Sequence, residues 1–311
     1  MTRSIDGTGV INSILFTEQG SNPPVPTGAK DKLFFKSSGL YMIDSSGTVG
    51  GPYSNLLTPG GRLTMVSGTP VTTPDIHSGT SLWYVPFEHD LLPLWDGNKI
   101  VPIEFDATPV TIAGLSGTSS FDVFAYLSAG TAAFETSMWT TPTSRAIPLA
   151  YNRGKLVKST DFTRLYLGSF YTSSEGKTDD SGVKRNVWNY YNQKVRHGYR
   201  AESTSHAYTT GTWRSWNNDA TVRVEAIVGV IENAIPMSVY NDSKELITGV
   251  GIDVTNNPSI LLGWNNLNEE NRFSSFVHYV PTAGFHFYQV SEFGSTNGNG
   301  YAISISMGIL G

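Results

Sequence analysis

Apolar residues along this chain recur mostly at every second position, in runs of four to eight broken by Gly, Ser, Thr, Asn and Pro. That period belongs to half-buried β-strands, because successive side chains of a strand point to opposite faces. From residue 62 onward the pattern predicts strands over 62–66, 81–84, 91–95, 99–104, 108–112, 121–128 and 132–138. Further strands are expected over 156–157, 164–171, 220–225, 226–232, 237–240, 246–253, 274–280, 284–290 and 302–309. Phe121, Val123, Ala125 and Leu127 fall on one face of their strand. Pro93 to Lys99 reads as a hairpin turned at Asp96-Gly97 or Gly97-Asn98. One segment is ambiguous. Val183, Val187, Tyr191 and Val195 recur every four residues, Asp179-Asp180-Ser181 could cap a helix, and Gly198 could stop it. Helix and strand stay open there. No repeat of 20–50 residues is evident, which argues against propellers and β-helices.

The stretch around which the chain is organised is Lys32 to Tyr53. Leu33-Phe34-Phe35 and Leu40-Tyr41-Met42-Ile43 read as two strands of a hairpin turned at Ser37-Ser38-Gly39. Leu33, Phe35, Leu40 and Met42 lie on one face, and Phe34, Tyr41 and Ile43 on the other. An isolated two-stranded hairpin is marginal in water and cannot bury two apolar faces. The second face is expected to meet other copies of the chain. The stretch before it, 1–31, reads as an extended arm. Val10, Ile11, Ile14, Leu15 and Phe16 form an apolar patch there, and Asn22-Pro23-Pro24-Val25-Pro26 favours polyproline-like extension. Residues 54–61 read as a linker.

The hairpin resembles the particle-proximal segments of fibre, spike and head-decoration proteins of tailed bacteriophages. Their pattern is x-K-L-Y-x-K-x-D-G-x-L-Y-x-x-D-S-x-G-T. This chain keeps Lys32, Leu33, Lys36, Gly39, Leu40, Tyr41, Asp44, Ser45, Gly47 and Thr48. It departs with Phe34 and Phe35 where Tyr is common, and Ser38 where Asp is common. Trp139 with Arg145, Arg164 to Gly168 and Gly284 to Tyr288 are more loosely similar to uncharacterised phage virion proteins. The resemblance implies a virion protein made in the host cytoplasm, a homotrimer, and docking to other virion proteins through residues 1–57. A tail or head fibre comes first, and a capsid decoration protein next.

Composition adds exclusions. Charged residues are 15% and aromatics 12% of 311 residues, a mixture suited to short strands and turns. The net charge of −5 gives no general attraction to nucleic acid or anionic membrane. There is no Cys, so disulfides, thiolate metal sites and Cys nucleophiles are excluded. No apolar run approaches the about 18 residues of a membrane span. Met1 to Asp6 leads into polar residues, so no secretory leader is expected.

Candidate chemistry is sparse. The six histidines, 77, 89, 197, 206, 278 and 286, form no metal-ligand spacing, and Asp75 with His77 or His89 with Asp90 read as surface or capping residues. No nucleophile elbow, phosphate-binding loop or dinucleotide fingerprint is present. Three acid pairs in polar stretches could serve glycoside hydrolysis: Glu104 with Asp106, Asp179 with Asp180, and Glu269 with Glu270. Residues 185–216 interleave basic and aromatic side chains. Trp188, Tyr191, Arg196, Tyr199, Trp213 and Trp216 could contact a host surface glycan. The competing reading makes the same residues core or subunit interface.

The expectation is an all-β protein. An extended arm (1–31) and a hairpin for attachment and trimerisation (32–57, with Leu33, Phe34, Phe35, Leu40, Tyr41, Met42 and Ile43) precede a β-sandwich or jelly-roll-like domain (58–311), with at most one or two short helices. No catalytic residue, cofactor or metal is expected, nor nucleic-acid binding or membrane insertion. The function expected is non-enzymatic, with a glycan-binding module or a glycan hydrolase as alternatives.

Overall fold

The computed structural model describes residues 2–5, 11–15, 20–28, 30–36, 39–50, 58–231, 234–264 and 271–311. The chain is all-β, and among the described residues it has one short 3-10 turn, at Trp216–Asn218. Among the described residues the two largest sheets have fourteen and five strands. The long sheet runs, in spatial order, through Thr131–Met138, Ser119–Ser128, Asp161–Ser174, Lys177–Asp180, Lys184–Arg185, Arg223–Val228, Gly284–Phe293, Ile247–Ile252 and Ile260–Trp264, with side branches. The smaller one orders Val195–Glu202, Asn299–Leu310, Ile235–Lys244 and Asn271–Tyr279.

The long sheet serves two large cores and a smaller cluster around Trp188. Its C-terminal strands supply Val224, Ala226, Val250, Tyr288 and Val290, which pack against Met237, Val239, Ile303, Ile305 and Met307 of the five-stranded sheet. This is a sandwich: each sheet buries one apolar face on the other. Its N-terminal strands supply Phe121, Val123, Leu165, Leu167 and Phe170, which pack against Leu63, Leu82, Tyr84, Leu92 and Leu94 of two small sheets.

Strand Ser119–Ser128 shows why the apolar alternation was only half the story. Phe121, Val123 and Ala125 are buried as expected, but so are Asp122 and Phe124 on the other face. The strand is central, so both faces are covered. Burial raises the Asp122 carboxyl above the usual range, against the pull of Arg145. Arg145 donates to both carboxylate oxygens (2.7 and 3.0 Å) and lies over the Trp139 ring at 4.2 Å.

One open reading is resolved and two expectations are corrected. Residues 183–195 are not helical. Strands Lys184–Arg185 and Val187–Asn189 lead into Val195–Glu202. The four-residue recurrence is also a two-residue one, and Asn189 settles it: its side chain accepts from Leu63 N–H (2.6 Å) and donates to Leu63 O (3.1 Å), as a neighbouring strand would. Asp179 and Asp180 are in a buried strand, not a turn. Pro59 to Gly61 is no linker but buried. Gly60 O accepts from Phe87 and Glu88 N–H, and a Cβ on Gly60 would meet His89 O at 2.1 Å. In the stretch read as an extended arm, Thr2–Ile5 and Ile11–Leu15 pair antiparallel. Val10 and Phe16 lie outside the described residues.

Candidate binding surfaces

The hairpin forms, with Gly39 opening the second strand rather than completing the turn. Lys32–Lys36 pairs with Gly39–Ile43, Phe34 opposite Tyr41 and Leu33 opposite Met42, and Val49–Gly50 adds a short third strand. The Phe34 and Tyr41 rings stack at 5.6 Å. The motif Asp44 to Thr48 has a physical basis. Asp44 Oδ1 accepts from Ser46 N–H (2.9 Å), Ser46 hydroxyl (2.6 Å) and Thr48 N–H (2.9 Å), and Gly47 takes φ +87°. The Ser46 hydroxyl, then the Thr48 N–H, lower the Asp44 pKa. Lys32 Nζ donates to Pro24 O (2.9 Å), so the proline-rich stretch lies along the hairpin.

The two faces of the hairpin differ. Phe34 is 4% and Ile43 3% exposed, so that face closes within the single chain. Phe34 is therefore not available to an interface, contrary to expectation. On the other face Leu33 is 51% exposed and Met42 half-buried. Phe35 opposite Leu40 is the next pair in that register, and only their backbone is described.

The basic-aromatic stretch 185–216 does not form one face. Trp188 is buried with Phe124, Leu156, Tyr166 and Ile227, and Trp216 is buried in the sandwich core. Neither ring is open to a sugar, which corrects that assignment. Tyr191 is half-buried and packs edge-on to Tyr190 (4.8 Å). Trp213 is half-buried against Phe293 (5.5 Å). Tyr199 alone of the six is exposed (44%), stacked on His197 at 5.8 Å. Arg196 turns inward to Asp180.

Two carboxylates organise the arginines of this stretch. Asp180 accepts from Arg185 Nη1 (3.0 Å) and Arg196 Nη2 (3.0 Å). Arg185 also donates twice to His197 O (3.1 and 2.8 Å), and Arg196 to Thr72 O (3.1 Å). Beside them Arg62 is buried, donating to Pro70 O (3.1 Å), Asn192 O and Gly311 O (2.7 Å). Burial first, then the charge of Arg196, push Arg62 down to about 10, still charged at neutral pH. The second carboxylate, Glu292, is 0% exposed. It accepts from Arg214 Nε (2.8 Å) and Asn217 N–H (3.0 Å) and pairs with His206 Nε2 (2.7 Å). The Arg214 guanidinium covers the Tyr208 ring at 3.6 Å. Sequence reasoning missed Glu292 and Arg62. The available signal was an acid or base inside an apolar alternation, which needs a partner to be buried.

The acid pairs are dispersed. Glu104 and Asp106 are exposed. Asp179 is buried, 2.9 Å from Ser78 N–H, and Asp180 is neutralised as above. Glu269 and Glu270 lie outside the described residues. His89 Nδ1 accepts from Leu91 N–H (3.2 Å), a capping role. His77 approaches Asp179 (3.9 Å), while Asp75 accepts from Gly182 N–H (2.8 Å). His286 pairs with Asp253 (2.7 Å). Among the described residues no group of three or more His, Asp or Glu is placed to hold a metal ion, and no helix is long and apolar enough to cross a membrane.

No family model matches the sequence, and no curated protein is similar to it. Among solved structures, the chain is weakly similar to a β-porphyranase of glycoside hydrolase family 86 from the human gut bacterium Bacteroides plebeius, at 11% identity and TM-score 0.22, over 63% of this chain and 30% of that one. It is weakly similar to an insecticidal delta-endotoxin from Bacillus thuringiensis, at 10% identity and TM-score 0.25, over 90% and 60%. It is also weakly similar to carbohydrate-binding modules of the β-sandwich superfamily, at 9% identity and TM-score 0.18, over 81% and 98%. The chain thus spans under two thirds of the length of the first two. At these TM-scores none of the three bears on function.

Proposed function

We propose that this chain is a non-enzymatic structural component of a bacteriophage particle. It docks through residues 1–57 and projects the β domain of 58–311 toward a host surface. The observation that carries this reading is the one-sided hairpin. One apolar face is closed within the chain, and the other leaves Leu33 half in water beside Met42. An apolar face left open on a small sheet is stabilised when a partner covers it. A homotrimer covers three such faces at once, as in a fibre, and a decoration protein would cover them on the capsid. The separation of the described acid pairs, Glu104 and Asp106 exposed and Asp179 and Asp180 buried with internal partners, supports the non-enzymatic half. Polyvalent display turns weak surface contacts into firm attachment, because later contacts form at high effective concentration.

The test is light scattering of the full chain beside the variant Leu33→Asp. The expected result is a trimer for the parent chain and a monomer for L33D with the same far-ultraviolet circular dichroism, because the substituted side chain is exposed in one chain but covered in the assembly. A monomeric parent chain removes the trimer. An L33D protein that joins particles as well as the parent removes the docking face.

A further inference from the structure

A cleft of about 260 Å³ opens where strand Val195–Glu202 meets strands Lys184–Arg185 and Arg223–Val228, lined by Val183, Lys184, Arg200, Thr221, Arg223 and Glu225. Its walls are fixed by backbone bonds. Glu225 N–H donates to Val183 O (2.8 Å), and Tyr199 N–H to Gly182 O (2.6 Å). Lys184 and Glu225 are partners in the parallel ladder.

Three cations line this cleft with one carboxylate, in a chain whose net charge is −5. Glu225 is buried, and its Oε1 takes both Nε (2.8 Å) and Nη2 (2.7 Å) of Arg223. The Phe287 ring pins the Arg223 guanidinium from one side at 4.5 Å. Lys184 Nζ stands 3.9 Å from the other oxygen. Arg200 is less satisfied. Its Nη2 reaches Thr221 Oγ1 only at 3.4 Å, and its Nε has no hydrogen-bond partner among the described residues. Outside the cleft the charge of Arg200 also acts on Glu202 and Asp219, whose carboxyls are held low chiefly by hydrogen bonds from Thr204 and Thr221. Distant acids are screened over about 8 Å at physiological salt. Within the lining itself three cations face one carboxylate, and Arg200 is the cation whose donors are least satisfied.

We infer that this cleft binds a carboxylate-bearing saccharide, one uronate unit at a time. The donors of Arg200 and Lys184 suit a carboxylate, the guanidinium by its planar fork. Glu225 and the Thr221 hydroxyl accept from sugar hydroxyls. Glu225 also decides against inorganic phosphate. A phosphate dianion brings mainly acceptors and charge toward a buried carboxylate, whereas a monoanion on a polyol offers hydroxyl donors there. The volume is below the about 300 Å³ at which drug-sized pockets begin, which fits a single sugar unit rather than a deep chain-binding channel. The inference rests on the attachment half of the proposed function. The two fail separately, since chain association is read from particle mass and the cleft from ligand titration.

The test is calorimetric titration of the full chain with tri-galacturonate, with its neutral methyl ester, and with inorganic phosphate. Tri-galacturonate is expected to bind, more weakly as salt rises, and the ester and phosphate at least about tenfold more weakly, as for loss of one charged hydrogen bond. Arg200→Gln is expected to weaken tri-galacturonate about tenfold at an unchanged melting temperature, and Arg200→Lys less. Lys184→Gln provides a second variant should Arg200→Gln fold poorly. Absence of binding, equal binding of the ester, tighter binding of phosphate, or unchanged affinity in a folded Arg200→Gln or Lys184→Gln would each overturn the assignment.

Discussion

Arg196 and Arg200 sit four residues apart on one strand, in the same pleat orientation, yet their surroundings are opposite. Around Arg196 the chain supplies a carboxylate and a carbonyl, Asp180 and Thr72 O, and further carbonyls for the neighbouring Arg62 and Arg185. Around Arg200 it supplies a long contact to Thr221 and leaves Nε without a partner. The residue type is the same in both places. Whether the acceptors are internal decides if an arginine is part of the fold or free to meet a ligand.

The largest break in this comparison is Asp180→Asn. Removing one partner of a buried ion pair typically costs about 3–5 kcal/mol, because the remaining charges stay buried without compensation. Here two guanidinium groups lose their carboxylate, so urea unfolding is expected to show a loss in that range. A loss below about 1 kcal/mol would place Asp180 among ordinary surface pairs and undo the contrast. Arg200→Gln gives the complementary measurement. Its effect on unfolding is expected to stay below about 1 kcal/mol, as for solvated pairs.

The smallest expected effect tests a carboxylate satisfied by hydrogen bonds rather than charge. Asp44 is held below its usual pKa by the Ser46 hydroxyl and the Thr48 N–H. A lowered acid pKa gives stability that is present above the unfolded value and lost as pH falls through the folded one. Below pH of about 4 the loop after the hairpin should therefore loosen. Amide exchange at Ser46 and Thr48, corrected for intrinsic rates, is expected to quicken there relative to pH 7. Asp44→Asn should flatten that dependence, and an unchanged slope would detach the loop from this carboxylate.

Much of the fold was legible where local rules decide it. The two-residue alternation gave most strands, the turn read at Asp96-Gly97 or Gly97-Asn98 formed about Gly97-Asn98 with Asp96 N–H donating to Lys99 O and Gly97 at φ +101°, and the face division of the hairpin followed from its register. Tertiary partners decided the rest. Asp122 reads as a solvent-facing residue until Arg145 arrives from 23 positions away. Trp188 and Trp216 read as sugar platforms until the long sheet covers them. Arg200 lay within the basic-aromatic stretch, but the cleft also needs Lys184, Arg223 and Glu225, which only the parallel ladder brings beside it. Two cores on one shared sheet leave no mark on periodicity, because each strand alternates in the same way whichever layer covers it.

The Arg62 guanidinium carries a consequence for how the domain is made. It bonds to Gly311 O across 249 positions, at the start of the first strand of the β domain. During synthesis that strand leaves the ribosome early and must wait for nearly the whole domain before its buried charge is satisfied. Contacts of such long sequence separation slow folding, since loop closure precedes its reward. Until residue 311 is made, Arg62 lacks one of the three carbonyls that hold its guanidinium.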